Sequence, residues 1–154
     1  MYKTILVPLD GSYRAEAILP HAQQLAALFE AELIFLQVFE LSHLVNLPGV
    51  DENDFQALPH IGMQELQDHV DEAQNYLSKM VQVAVEIGIP SRSRIAYGPV
   101  ASSIINTAVE EEVDLIAMAS HGCSGLQGVY YGSVAAGVWQ RVDRPLLIVR
   151  SQEN

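Results

Sequence analysis

The strongest constraint on this chain is the spacing of its short apolar runs. Lys3–Leu9, Glu32–Phe39, Asp114–Ala119 and Pro145–Arg150 carry charge only at their ends. Such runs fit strands covered on both faces, as in a parallel sheet. A weaker, partly alternating run, Ser91–Tyr97, carries Arg92 and Arg94 on one side and suits an edge strand. Between the runs lie stretches of helical period. The order reads βαβαβαβαβ. Right-handed crossovers then build an α/β fold, a single-domain doubly wound parallel five-stranded sheet with helices on both faces.

The helices are read from their apolar spacing. Ala15, Ile18, Ala22, Leu25, Ala26 and Phe29 share one face, which predicts a helix over about Tyr13–Glu30, kinked at Pro20. Met63, Leu66, Val70, Ala73, Leu77, Met80, Ala84 and Ile87 step by three and four, and Gly88 and Pro90 stop that helix. Gly98-Pro99 opens another, which closes on Glu110, Glu111 and Glu112, acids that oppose its dipole. Val134–Val142 forms the last. Glu40–Gly62, with two prolines and two glycines, reads as an irregular flap. One domain spanning 1–154 accounts for the whole sequence.

Loop chemistry gathers after strand 1, at Pro8 and Asp10, and after strand 4, from Ala119 onward. In doubly wound sheets ligands sit where strand order reverses. The reversal is therefore placed between strands 1 and 4, which implies order 3-2-1-4-5. Strand 5 has no following helix, so its apolar edge, 146–150, predicts a homodimer paired along that strand.

Charge narrows the partners. Nineteen Asp and Glu stand against 8 Lys and Arg, a net charge of -11. That field repels nucleic acid and anionic membrane. No apolar run reaches bilayer length. The single cysteine, Cys123, permits no internal disulfide, which fits the cytoplasm. His21, His43, His60 and His69 show no metal spacing.

Between strand 4 and the last helix lies a loop with Gly122, Gly125, Gly128 and Gly132, followed by Ser133. Strand, glycine-rich loop and helix place backbone N–H groups and a helix N-terminus against an anion. Ala119-Ser-His-Gly122, nine residues, then Gly132-Ser133 resembles the ATP-binding signature of the universal stress protein family, with Ala119 in place of its first glycine. Pro8-Leu-Asp10-Gly-Ser12 and Arg144-Pro145-Leu-Leu-Ile-Val149 resemble that family's first and last strands, so the likeness covers nearly the whole chain.

The resemblance implies a ligand, ATP or another adenine nucleotide, with or without Mg²⁺. It implies that Gly122 and Gly132 let backbone approach the phosphates, and that Ser133 and Val134 meet them at the helix start. It puts Asp10 by the ribose or adenine, and Pro8, Val38 and Met118 around the base. Each residue has a plainer reading: Asp10 as a turn residue, Ser133 as a helix cap, Val38 and Met118 as core. The nine-residue spacing is what joins them into a set. His121 reads equally as a phosphate contact or a turn residue. Cys123 reads as an incidental loop thiol, and Tyr130 and Tyr131 as packing.

No Lys or Arg occurs from Asp114 to Gln140, and no P-loop lysine is present. Arg14 is the nearest candidate cation from the first helix. Phosphoryl transfer would have little charge stabilisation. The sequence thus favours a dimeric module that holds a nucleotide as a signal in a stress response, more a binder than an enzyme. Two alternatives stand beside it. One is a slow ATPase or self-phosphorylating enzyme with Ser133 or a loop serine as acceptor. The other is a dimeric adaptor that binds no nucleotide, and an unknown protein partner fits any of the three.

Overall fold

The computed structural model describes residues 1–40, 58–121 and 132–151, with backbone alone over 58–63. Five strands, β1 (Thr4–Pro8), β2 (Glu32–Phe39), β3 (Ser91–Tyr97), β4 (Leu115–Ala119) and β5 (Leu146–Val149), form one sheet. Its order is β3-β2-β1-β4-β5, and every pairing is parallel. The helices are α1 (Leu19–Phe29), α2 (Leu58–Glu86), α3 (Val100–Glu110) and α4 (Ser133–Arg141). The expected order, the parallel sense and the edge position of Ser91–Tyr97 all hold.

Strand periodicity divides the core in two. Ile5, Val7, Leu33, Phe35, Leu115 and Ala117 face one side, where Ala22 and Ala26 of α1 and Leu77 and Ala84 of α2 cover them. Leu6, Ile34, Leu36, Ile116 and Met118 face the other, under Ile104 and Ala108 of α3 and Ala135 and Val138 of α4. Successive side chains of a strand point to opposite faces, so an unbroken apolar run serves both layers. Burying each large side chain contributes about 1.5–3 kcal/mol.

Two helix starts differ from expectation. Residues Ala15–Ile18 form a 3₁₀ turn, and α1 begins at Leu19 with Pro20 in its first turn. A proline there sacrifices no intrahelical bond, so no kink is needed. Likewise α2 begins at Leu58 and not at Met63, with Pro59 in its first turn. The irregular stretch is shorter than 40–62 by those residues, and 41–57 lie outside the described residues. At its far end, α2 closes as the glycine and proline predict. Gly88, at φ 88°, donates to Val85, and Ile89 donates to Ala84, a Schellman arrangement.

The acids at the end of α3 now have a physical role. Glu111 accepts hydrogen bonds from both Arg92 and Arg94 of β3, and Glu110 accepts from Arg94. Arg92 also reaches Glu32 of β2 at 3.2 Å. The side-chain bond from Arg92 holds the Glu111 carboxyl below its ordinary range, with Arg94 adding to it. Arg144 caps the same helix end, donating to the carbonyls of Ala108 at 2.7 Å and Val113 at 3.0 Å. These cations outweigh the unfavourable dipole.

Asp114 sets the opposite end of the sheet. Its carboxylate accepts the backbone N–H groups of Lys3 at 2.7 Å and Thr4 at 2.9 Å. This ties the entry of β4 to the entry of β1. Among the described residues no helix is long and apolar enough to cross a membrane.

Candidate functional site

The chain leaves β1 outward to β2 and β3, then returns on the other side of β1 as β4. A cleft opens beyond the carboxyl ends of the strands at that reversal, between α3 and α4. Its apolar wall is Leu36 and Val38 of β2, Val100 and Ile104 of α3, and Met118 of β4. Pro8, Leu9 and Asp10 line it from β1, and Ala119, Ser120 and His121 from β4. Gly132, Ser133, Val134 and Ala135 line it from the start of α4.

Nine of the residues singled out from sequence therefore share one cleft: Pro8, Asp10, Val38, Met118, Ala119, His121, Gly132, Ser133 and Val134. The tenth, Gly122, lies outside the described residues, as do Cys123, Gly125, Gly128, Tyr130 and Tyr131. Sequence reasoning missed Leu36, Val100, Ile104 and Ser120. Leu36 precedes Val38 by two, so strand period alone signals it. Val100 and Ile104 arrive only because α3 packs over β2 and β3, and Ser120 carries no sequence signal beyond its place after a strand.

Local geometry explains individual positions. Asp10 Oδ1 accepts the Ser12 N–H at 2.9 Å, and Ser12 Oγ accepts the Ala15 N–H at 3.2 Å. The Asx turn of Asp10 thus leads into a serine whose hydroxyl accepts the first N–H of the 3₁₀ turn. Tyr76 of α2 donates to Glu16 at 2.8 Å and pins that turn from below. Burial, then the Glu16 bond, push the Tyr76 hydroxyl well above its ordinary range.

Ala119 lies in regular strand backbone, paired with Val149. Among the described residues only Glu30 and Glu112 are non-glycines with positive φ. This position therefore makes no conformational demand for glycine. Gly132 does, through space and not through φ. A Cβ there would sit 2.6 Å from the Ser120 carbonyl oxygen. Gly132 is the N-cap of α4 and has no side chain with which to cap it. Ser133 is thus the first helical residue and not the cap. The N–H groups of its first turn have no intrahelical carbonyl to bond.

No Lys or Arg lines the cleft among the described residues. Arg14, expected as the nearest cation, lines a different groove with Tyr13, His21 and Arg150, beside the end of β5. With a 3₁₀ turn in place of the expected first helical turn, its side chain serves that groove. Among the described residues no cluster of His, Cys, Asp and Glu could hold a metal ion. Among the described residues, the groups of the cleft that can meet an anion are the backbone N–H groups and dipole of α4 and the His121 ring, and Asp10 is its carboxylate.

Known proteins share this architecture. The solved structure of a Methanocaldococcus jannaschii universal stress protein superposes with a TM-score of 0.86 at 27% identity, covering 100% of this chain and 99% of that one. A universal stress protein crystallised in complex with cAMP superposes at 0.68 and 22% identity, covering 98% of each chain. A further Methanocaldococcus jannaschii universal stress protein is 30% identical over 154 residues, spanning 100% of this chain and 85% of that protein. The profile of the Universal stress protein family matches residues 1–150. The chain belongs to the universal stress protein family.

Proposed function

We propose that the cleft binds an adenine nucleotide, ATP foremost, and that the protein holds it as a regulatory signal with little or no hydrolysis. The observation that carries this reading is one cleft in which an apolar slot meets the N-terminus of α4. Val38, Met118 and Ile104 suit a flat apolar base, Asp10 suits a ribose hydroxyl, and the first N–H groups of α4 suit phosphate. A cleft of about 190 Å³ is below the roughly 300–1,000 Å³ of complete small-molecule sites. That fits a base seated inside and phosphates at the mouth, with any Mg²⁺ held through them. The cAMP complex of a protein with this fold directs the choice of base to adenine.

The absence of Lys and Arg from the described lining supports holding over turnover. One observation favours a second reading, self-phosphorylation. Ser133 is exposed, lines the cleft and opens α4, which places its hydroxyl where a bound phosphate would lie.

Calorimetric titration with ATP, ADP and AMP, with and without Mg²⁺, tests the proposal. Saturable binding of at least one nucleotide is expected. No binding at millimolar nucleotide sinks it in favour of a nucleotide-free adaptor. Phosphate release above about 1 s⁻¹ makes the protein an ATPase, and a stable mass gain lost in Ser133→Ala makes it self-phosphorylating. Val38→Trp fills the slot and should abolish binding while the protein stays folded.

A further inference from the structure

The turn that carries Asp10 into the cleft is fastened from the far side of the sheet. Asp10 and Ala15 both line the cleft. Between them, Asp10 Oδ1 accepts the Ser12 N–H at 2.9 Å and the Ser12 hydroxyl at 2.5 Å, and Ser12 Oγ accepts the Ala15 N–H at 3.2 Å. These bonds span two and three residues, so they set the shape of the turn but not its place against the sheet. The next residue, Glu16, accepts the Tyr76 hydroxyl at 2.8 Å, across 60 residues of chain.

Tyr76 belongs to α2, which packs on β2 and β3. It joins the core layer of Phe35 and Leu77, on the face of the sheet opposite the layer of α3 and α4 that walls the cleft. A part-buried hydroxyl places its single hydrogen on an acceptor, and here Glu16 takes it. Burial, then the Glu16 bond and charge, then the charge of Asp10 push the Tyr76 hydroxyl up. It therefore stays a donor, and Asp10 lies within its electrostatic reach.

We infer that Tyr76 is a positioning residue for the bound ligand, which acts through Glu16 to hold the Asp10 turn where that carboxylate meets a ribose hydroxyl. The ligand is the nucleotide of the reading above, on which this inference rests. An O–H···O bond is strong only over about 2.5–3.0 Å, so a turn that drifts by roughly half an ångström weakens it. The plainer alternative is a tyrosine that only ties α2 to the 3₁₀ turn. That role would weaken every ligand of the cleft alike, whereas positioning through Asp10 weakens only ligands that carry ribose hydroxyls.

Amide hydrogen exchange read by NMR on the full chain, with no ligand present, tests the fastening. In Tyr76→Phe the Ser12 and Ala15 amides should exchange about tenfold faster, while those of Leu6 and Ile34 keep their protection. Calorimetric titration tests the consequence. ATP affinity should fall about three- to tenfold in Tyr76→Phe, the loss of one well-placed hydrogen bond. The probe 2′,3′-dideoxy-ATP, which lacks both ribose hydroxyls, should bind the variant and the unmodified protein alike. Glu16→Ala should reproduce both results, and Tyr76→Phe should cost no further ATP affinity in an Asp10→Ala background. Unchanged Ser12 and Ala15 exchange in Tyr76→Phe overturns the inference. So does unchanged ATP affinity, an equal loss for ATP and the dideoxy probe, or a full additional loss in the Asp10→Ala background. If the two amides quicken but the unmodified protein binds no nucleotide, the nucleotide reading falls and the fastening of the turn by Tyr76 stands.

Discussion

Gly132 donates its backbone N–H to the Ser120 carbonyl at 2.6 Å, and a Cβ built on Gly132 would lie 2.6 Å from that same oxygen. The strand end and the helix start are thus clasped at a distance only glycine permits. Gly132→Ala must push α4 away from β4. A cost of about 1–3 kcal/mol is expected, the usual range for overpacking a close contact, with nucleotide affinity falling at least tenfold. Thermal unfolding and ATP titration of the same sample measure both. An unaltered melting temperature would show that the clasp is not tight in solution.

Charge makes an unusual demand on ligand binding. The chain carries a net charge of -11, the proposed ligand is an anion, and the described lining of the cleft holds no Lys or Arg. Long-range repulsion is screened by salt, whereas backbone hydrogen bonds are not. ATP affinity should therefore rise about two- to fivefold between low salt and about 0.3 M KCl. A tenfold loss over that range would place a cation at the phosphates.

Asp114 links acid stability to the sheet. The Lys3 N–H bond, followed by that of Thr4, holds its carboxyl below the ordinary 3.8. The folded protein thus takes up this proton less readily than the unfolded chain. The stabilisation is fully present above the unfolded value and is lost as pH falls through the lower folded one. Asp114→Asn should cost about 1–2 kcal/mol at pH 7, from two weakened charge-assisted bonds. Denaturant unfolding should show the deficit closing as pH falls below the ordinary carboxyl value of 3.8. A deficit independent of pH would assign the effect to shape instead of charge.

Glu111 joins two arginines of an edge strand to the end of α3. Glu111→Gln should lower stability by about 1 kcal/mol, more than an isolated surface pair contributes. The difference should shrink in about 1 M NaCl. A loss insensitive to salt would mean that geometry, not charge, carries the interaction.

The proposed dimer is testable through bond direction. Ile116 and Ser120 of the β4 segment donate to the carbonyls of Pro145 and Val149. Alternate residues of a strand turn their backbone groups to opposite sides, so Leu146 and Ile148 present theirs to the free edge. Ile148→Pro removes one outward N–H and leaves the β4 ladder intact. Sedimentation at micromolar concentration is expected to report a dimer for the unmodified protein and a monomer for the variant. A monomer in both, or a dimer in both, rejects pairing along this edge.

The apolar runs and helical periods determined the element order, the parallel sheet and the switch point, because an α/β repeat buried on both faces leaves few other arrangements. The switch-point argument marked Pro8, Asp10 and the residues from Ala119 onward, and the resemblance to the family signature supplied the rest of the nine residues that line the cleft. What tertiary structure alone decided is finer. Pro20 lies in a first turn and not at a kink, because the 3₁₀ turn, whose first N–H bonds Ser12, takes up the residues before it. Glu110 and Glu111 are compensated by arginines 16 to 19 residues away in the chain, a pairing no local pattern carries. Gly132 is required by a carbonyl twelve residues upstream, and Ser120 matters through groups on β5 and α4. Periodicity encodes which face a residue occupies. Hydrogen-bond partners and close approaches depend on three-dimensional distance, and that exists only once the chain has folded.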